Sequence, residues 1–243
     1  MTSLGAETIF RFAGFRAPNT LLATLLVDAV ILLLVLLVRR RIALVPGRFL
    51  QVVESIVDYL HTTVDQVAGA RSATIFPWVG VFFIYIVINN LMGLFPGFGS
   101  VGFYRPGEDG AMHLVPILRA ATSDLNTTLA LAIVSVFATH ILAIRSTGVG
   151  DYLKRFFALN PIFLFVGLLE IVQELTKFIS FSFRLFGNIS GGEIVLSTVA
   201  RMFAFILPVP FLALEILVGV VQAAVFALLT MAFMAILTEK SHH

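Results

Sequence analysis

Residues 161–205 read PIFLFVGLLEIVQELTKFISFSFRLFGNISGGEIVLSTVARMFAF, and this apolar stretch decides the fold. About 20 residues are enough for an α-helix to cross a bilayer. A stretch more than twice as long must therefore tilt steeply or run along the membrane. Residues 207–210 read LPVP, and a second apolar stretch follows at residues 211–238. Because two prolines this close together interrupt a helix, the sequence predicts a long, strongly tilted antiparallel hairpin.

The composition of the whole chain is that of a polytopic membrane protein. Of its 243 residues, 59% are hydrophobic and 12% are charged, and the mean hydropathy is +1.01. A soluble core cannot bury so large an apolar fraction. The absence of cysteine excludes disulfides and thiolate metal sites. The net charge of +2 arises from basic residues that lie mostly between apolar runs, so no nucleic-acid partner is expected.

Three further apolar runs are long enough to insert into a membrane. They comprise residues 21–38, 76–95 and 124–144. The last of them opens with the helix-start signal Thr122-Ser123-Asp124. Residues 48–69 place apolar and charged side chains on opposite faces at helical spacing, which predicts an amphipathic helix on the membrane surface. The chain is thus predicted to be one all-α integral membrane domain with about five membrane-inserted helices. The predicted connecting loops are residues 97–122 and 148–160.

The basic residues between the runs predict the orientation, because cytoplasmic loops are enriched in lysine and arginine. One set of connections carries nine of the sixteen basic residues and the other set carries four. The remaining three, Lys177, Arg184 and Arg201, lie inside the long hairpin. The C-terminus and the amphipathic helix are therefore predicted to be cytoplasmic, and the N-terminus is predicted to be outside.

Arg184 is the most unusual residue of the hairpin. A guanidinium near the bilayer centre costs from about 2.5 to more than 10 kcal/mol, and it stays protonated at every physiological pH. It therefore needs a counter-charge. A structural interpretation pairs it with a carboxylate of its own chain, but the residues three or four positions away that are polar, Ser180 and Asn188, are neutral. The alternative is a counter-charge that another subunit supplies intermittently.

Both long helices carry their polar residues on one side. At 100° per residue, those of the first helix fall within an arc of about 120°. They are Glu170, Gln173, Glu174, Lys177, Ser180, Arg184, Asn188 and Gly191. The second helix repeats the pattern with Glu215, Gly219, Gln222, Phe226 and Thr230. Two membrane helices with one polar seam each indicate a polar path between them.

Antiparallel pairing about the prolines predicts which residues lie at the same depth. It places Gln222 level with Arg184 and Glu215 level with Glu193. The carboxylates then lie at two other depths, with Glu193 and Glu215 toward the outside. Glu170 and Glu174 lie toward the cytoplasm. Ionisable groups inside membrane segments are functional candidates by default, so the two depths are predicted to mark two aqueous inlets.

Four other polar residues of the apolar runs leave two interpretations open. Asp28 is either a helix-packing carboxylate or part of a water-filled path. Asn89 and Asn90 are either hydrogen-bond partners between helices or groups that line a pore. His140 is either a satisfied interfacial histidine or a proton relay.

Several short motifs follow one another in a characteristic order. They are Val45-Pro46-Gly47-Arg48 with Glu54, Asn90-Leu91-Met92-Gly93-Leu94-Phe95-Pro96, Ser123-Asp124-Leu125-Asn126-Thr127-Thr128-Leu129, the segment from Glu170 to Lys177, Phe183-Arg184-Leu185-Phe186-Gly187-Asn188, Gly192-Glu193, Glu215 and Gln222. In these motifs and their order the chain resembles subunit a of F-type ATP synthases. The resemblance covers essentially the whole chain, and the block around Arg184 is its most specific part.

The resemblance implies a stator subunit of a rotary ATP synthase in the bacterial inner membrane. Its expected partners are a ring of c subunits, the peripheral-stalk b subunits and the remainder of the complex. Two offset half-channels would carry protons to and from the ring carboxylates. Arg184 is then the essential stator arginine, and the matching pathway positions are Asn188, Glu193, Glu215 and Gln222. Candidates for lining the inlets are Glu170, Glu174, Ser180, Asn90 and Asp124.

The carry-over is weaker at Glu215, because that position is His in many bacterial relatives and Glu or Gly in others. The chain has no nucleotide-binding loop, metal-ligand cluster or nucleophile with its base, so no cofactor, no metal and no ATP chemistry of its own are expected. Two other functions remain to be compared. A secondary transporter would show paired repeats, which the sequence lacks, and a purely structural anchor would not need two polar seams.

Overall fold

The computed structural model describes residues 8–12, 15–41, 47–95, 97–106, 112–156, 161–202 and 206–239, most of which are α-helical. The helices are α1 (Asn19–Arg41), α2 (Arg48–Ala68), α3 (Ser72–Gly93), α4 (Leu125–Thr147), α5 (Val149–Phe156), α6 (Pro161–Met202) and α7 (Pro208–Thr238). Two antiparallel hairpins join β1 (Thr8–Phe12) to β2 (Phe15–Pro18) and β3 (Gly102–Pro106) to β4 (Met112–Pro116).

The helices confirm the all-α membrane fold. Within the described residues, four helical segments are long and apolar enough to cross a membrane, namely Asn19–Arg40, Arg48–Gly93, Leu125–Thr147 and Pro208–Thr238. Helix α6 has 42 residues and carries the polar seam with Arg184. At 1.5 Å per residue it is about 63 Å long, which is roughly twice the thickness of the hydrocarbon core. A membrane that accommodates α6 must therefore hold it at an oblique angle.

Helix α7 lies at the centre of the bundle. It packs against α2, α3, α4 and α6. Phe226 of α7 contacts Phe82 of α3 and Phe181 of α6, with ring centroids 5.5 and 5.0 Å apart. These tilted aromatic contacts fill the core between the three helices. Helix α1 lies at the periphery, and its large apolar side chains, such as Leu32 and Leu33, are exposed.

Several predicted helix boundaries were wrong by a few residues. Helix α1 begins at Asn19 and continues through Arg39 and Arg40, because arginine is a good helix former and a charge alone does not end a helix. Helix α3 begins at Ser72, four residues before the predicted start at residue 76. A single 3₁₀ turn, Gly69–Arg71, joins it directly to α2, and Gly69 adopts φ +52° at that turn.

The two prolines lie at the start of α7, which runs antiparallel to α6, so the predicted reversal at this point is confirmed. Pro208 and Pro210 lie in the first turn of α7, where the missing N–H groups have no intrahelical partner to lose. Helix α7 therefore starts before the predicted residue 211. Helix α6 is described only as far as Met202, so residues 203–205 of the predicted first arm lie outside the described residues.

Both predicted loops contain regular structure. Residues 97–122 include the β3–β4 hairpin, followed by a segment in which Ala120, Ala121 and Thr122 are buried. Residues 148–160 include α5, a short amphipathic helix that begins directly after Gly148. We call the end of the bundle that holds the two β-hairpins the hairpin end, and the opposite end the α5 end.

The amphipathic helix α2 is confirmed, and its apolar face is divided between two environments. Leu60 and Val64 are buried against the bundle, where α2 packs on α3 and α7. Phe49, Val52 and Tyr59 are exposed. The exposed apolar side is consistent with a helix that lies on a membrane surface.

Candidate functional site

Arg184 lies in the middle of α6 on a face that this chain leaves uncovered. Its side chain is exposed, as are those of the neighbouring Asn188 and Val195 on the same face. Its Nη2 atom donates a hydrogen bond to Ser180 Oγ at 3.1 Å. Among the described residues no carboxylate lies within ion-pair distance of the guanidinium. The described part of the chain therefore supplies a neutral hydroxyl and no counter-charge.

A side-chain bridge joins α6 to α7 one turn beyond Arg184. Asn188 Nδ2 donates to Gln222 Oε1 at 2.6 Å, and Gln222 is buried. Gln222 was predicted to lie level with Arg184. Its hydrogen bond goes to Asn188, one helical turn further along α6. The bridge joins the two polar seams. The hydrogen bond described for the Arg184 guanidinium goes to Ser180 of its own helix and not to α7.

Glu215 lies flush against the backbone of α6. The side chain is only 9% exposed, and a Cβ atom at Gly192 would overlap its carboxylate. Glycine is the one residue that allows this approach. Glu215 was predicted to lie level with Glu193, and the structure places it against the adjacent Gly192.

Asn90 connects α3 to α7 close to Glu215. Its Nδ2 atom donates to Gly219 O at 2.9 Å, one turn along α7 from Glu215. Asn90 thus acts as a hydrogen-bond partner between helices, and it also lines the neighbouring cavity. Asn89 differs, because it donates to Tyr85 O of its own helix at 2.9 Å.

Glu193 forms an ion pair that the sequence did not reveal. Arg119 Nη2 lies 3.5 Å from Glu193 Oε2, and Arg119 Nε donates to Ser123 Oγ at 3.1 Å. Arg119 is only 7% exposed. Arg119 belongs to residues 97–122, which are predicted to be a loop, although its apolar neighbours in the segment LVPILRAATS are a signal of burial.

The two carboxylates at the hairpin end share one cavity of about 310 Å³. Glu193 and Glu215 both line it, together with Asn90 and Ser197. A water molecule occupies about 30 Å³ in the liquid. The cavity is therefore large enough for several water molecules and offers them carboxylate, amide and hydroxyl partners.

A second polar cluster lies toward the α5 end. Lys177 Nζ donates to Glu174 Oε1 at 2.7 Å, and it lies 4.0 Å above the Phe233 ring. His140 Nε2 lies 3.6 Å from Glu174 Oε2. Glu170 stands one turn further along the same helix. Along α6, Glu174 and Glu193 are each about 14 Å from Arg184, on opposite sides of it.

Asp124 has a structural position away from both clusters. It caps α4 by accepting a hydrogen bond from Asn126 N at 3.0 Å, and it accepts another from Thr20 Oγ1 at 2.9 Å. The groove that it lines runs between α1, α3 and α4 and does not include Glu193 or Glu215. Asp124 thus lines a different groove from Glu193 and Glu215, and its place in an inlet stays a prediction. Asp28 is exposed on α1.

The fold and this arrangement define a class of protein: a polytopic α-helical membrane protein with a polar seam between two long helices. Residues 21–235 match the family described as ATP synthase A chain. The chain belongs to that family.

Bacterial relatives agree with this assignment. ATP synthase subunit a 3 of Pelobacter propionicus is 34% identical over 223 residues, which are 90% of this chain and 87% of the relative. ATP synthase subunit a of Moorella thermoacetica is 30% identical over 235 residues and 97% of both chains. The corresponding protein of Trichlorobacter lovleyi is 31% identical over 230 residues, 93% of this chain and 90% of the relative. This chain is accordingly a non-catalytic, multi-pass subunit of the membrane sector of an ATP synthase, with a role in proton transport.

Proposed function

We propose that this chain is the stator that couples proton flow to rotation of a ring of c subunits, through two offset half-channels. The observation that carries the proposal is the position of Arg184. It is a permanent cation on an uncovered face of a membrane helix, it lacks a counter-charge among the described residues, and it lies between two carboxylate clusters. A ring subunit that presents its carboxylate to this face would supply the missing charge.

The first half-channel would open at the hairpin end. The cavity lined by Glu193 and Glu215 supports this, because it gives water and two proton-exchanging groups in one place. The bridge between Asn188 and Gln222 lies between that cavity and Arg184. Protons that enter the cavity would thus reach the ring beside Arg184, on the side of Arg184 that faces the hairpin end.

The second half-channel would open at the α5 end, where Glu170 and Glu174 lie. The excess of lysine and arginine in the connections at this end favours a cytoplasmic location. The N-terminus and the hairpin end would then be outside, and the membrane would be the inner membrane of a bacterium. The peripheral-stalk b subunits and the remainder of the complex complete the list of proposed partners.

The mechanism follows from the cost of charge in lipid. A protonated ring carboxyl can face lipid, whereas an ionised one cannot. Arg184 favours the ionised form beside it, so the proton leaves toward the α5 end. The ring site that has passed Arg184 takes a new proton from the hairpin-end cavity and can rotate through lipid again. Each elementary charge carried across gains about 2.3 kcal/mol per 100 mV.

Arg184 would also prevent a leak. A fixed cation between the two half-channels raises the barrier to a proton that would cross directly from one to the other. The current is then forced to pass through rotation of the ring. Both tasks require a charge that no group of the same chain neutralises.

The test replaces the charge and measures coupling. Arg184→Ala is expected to abolish ATP-driven proton pumping while passive proton conduction, in membranes stripped of the catalytic head, survives or rises. Arg201→Ala is the matched control, because Arg201 is an exposed arginine near the end of the same helix. Normal pumping by the Arg184→Ala enzyme, with assembly shown by co-purification of the ring, would refute the proposal.

A further inference from the structure

Three helices bring a histidine, a tyrosine and a glutamate together near the α5 end. His140 of α4 has its Nδ1 atom 2.8 Å from the hydroxyl oxygen of Tyr152 in α5. Its Nε2 atom lies 3.6 Å from Oε2 of Glu174 in α6. The two ring nitrogens of His140 therefore face two different partners, one on each side.

The surroundings hold the Glu174 carboxylate in a fixed orientation. Lys177 Nζ binds the other oxygen, Oε1, at 2.7 Å, and the Phe233 ring lies against the same ammonium. The side chains of His140 and Glu174 are 22% and 14% exposed. Among the described residues, Glu174, Lys177 and Glu170 of α6 are the charged groups that act on His140, and Tyr152 is a titratable group that faces it from α5.

The geometry suits proton transfer from Glu174 to His140. A neutral imidazole can accept a proton at Nε2 only if its hydrogen is on Nδ1. The Tyr152 oxygen can accept a bond from that Nδ1–H group, so the contact is compatible with an Nε2 lone pair directed at Glu174. A gap of 3.6 Å is too long for a hydrogen bond, but a small side-chain movement or one water molecule closes it.

We propose that His140 is the proton-exchanging group at the mouth of the half-channel that opens at the α5 end, a role that rests on the proposed stator function. Glu174 receives the proton released beside Arg184 and passes it to Nε2 of His140. The imidazolium then gives the proton to water or buffer and returns to the neutral state. Tyr152 is a positioning residue that orients the ring. Imidazole suits this task because an unperturbed histidine side chain gains or loses its charge between pH 5 and 8.

The experiment measures passive proton flux through the complete membrane sector, in vesicles stripped of the catalytic head, while the pH on the α5 side is varied and the opposite side is buffered. His140→Gln retains a side chain that can bond to Tyr152 but cannot exchange protons in this range. We expect its flux to fall about tenfold and to lose its dependence on α5-side pH between about 5 and 8. In His140→Ala, imidazole added on the α5 side is expected to restore flux.

The controls separate this role from a structural one. His61→Gln changes another histidine, which pairs with Asp65 on α2 at 3.0 Å, and should keep the wild-type flux and pH dependence. Glu193→Gln should lower the flux and retain the dependence on α5-side pH. Wild-type flux and pH dependence in His140→Gln would overturn the inference. If neither His140 variant assembles, Tyr152→Phe decides, because unchanged flux in that variant would also overturn it.

The outcome is distinguishable from failure of the stator proposal. If Arg184→Ala uncouples the enzyme while His140→Gln behaves as wild type, the proposed role of His140 is refuted and the stator proposal is retained. If Arg184→Ala still pumps normally, the stator function falls and the inference about His140 falls with it.

Discussion

Lys177 and Arg184 are two cations on the same face of α6, two helical turns apart, and their surroundings differ. Lys177 bonds to Glu174 at 2.7 Å, lies over Phe233, and has a side chain that is 17% exposed. Arg184 contacts a serine hydroxyl and is exposed. Among the described residues, the chain thus neutralises Lys177 with a carboxylate of its own and does not do so for Arg184. This difference is what the proposed pairing of Arg184 with a ring carboxylate would explain.

The comparison extends to Arg119. That guanidinium is buried at the hairpin end and is matched by Glu193. Burial of an unmatched charge costs several kcal/mol, so pairing is what stability alone requires. Arg184 differs from Arg119, because it is exposed and its contact among the described residues is a neutral hydroxyl.

The largest expected effect comes from giving Arg184 an acid of its own. Ser180 already accepts a hydrogen bond from Arg184 at i−4, so Ser180→Glu would place a carboxylate at ion-pair distance. The comparison with Lys177 predicts that ATP synthesis and ATP-driven pumping are abolished, because a fixed partner competes with the ring. Ser180→Gln is the matched neutral control. Full coupling in Ser180→Glu would break the comparison.

A smaller but still large effect is expected at Gly192. An alanine there would overlap the Glu215 carboxylate and displace it from the cavity. The atoms that must move are those of a flexible side-chain end, so the carboxylate changes its position while the helices stay in place. We therefore expect passive proton flux to fall in Gly192→Ala, because Glu215 no longer holds its position in the cavity. Gly80→Ala, where nothing lies within 4 Å of the added Cβ, should retain its flux.

The third prediction concerns Lys177, the cation that has a partner in its own chain. Glu174→Gln leaves an ammonium in the seam without its carboxylate, and the loss of a buried charge-assisted bond costs about 1–3 kcal/mol. We expect a lower thermal stability of the purified complex and a severalfold lower passive flux, with coupling retained. Glu54→Gln, an exposed change on α2, serves as the control. A completely uncoupled Glu174→Gln enzyme would show that Lys177 and Arg184 do not differ as described.

The smallest effect is expected at Asp124, whose partners are all in its own chain. Asp124→Ala removes the cap of α4 and the bond from Thr20. Loss of a helix cap costs about 1 kcal/mol, so the thermal stability of the complex should fall slightly while flux per assembled complex is unchanged. Asp124→Asn retains a capping side chain and should restore the stability. A strong loss of flux without loss of stability would place Asp124 in the pathway instead.

The sequence predicted the features that depend on local periodicity. Runs of apolar residues located the helices, because a membrane helix must be apolar over about 20 residues. The spacing along α6 also showed that polar neighbours of Arg184 at helical distance are neutral, and Ser180 is indeed its contact. These properties are set within a few turns of one helix.

Contacts between distant segments could not be predicted in this way. Arg119 and Glu193 are 74 positions apart in the chain, and no helical period connects them. The same holds for the contact between His140 and Glu174, which depends on how α4 packs against α6. At the prolines the predicted reversal is confirmed, and only the start of α7 differs, because proline fits the first turn of a helix. Tertiary packing, not local pattern, decides the contacts of Glu193 and of His140.

The most direct test of the central claim is a density map of the assembled membrane sector at a resolution that shows side chains. The account predicts that the carboxylate nearest to Arg184 belongs to a ring subunit on the uncovered face of α6, while Lys177 and Arg119 keep their partners within this chain. A guanidinium of Arg184 held within about 4 Å by Glu170, Glu174 or Glu193 of its own chain, with no ring subunit beside it, would contradict the account.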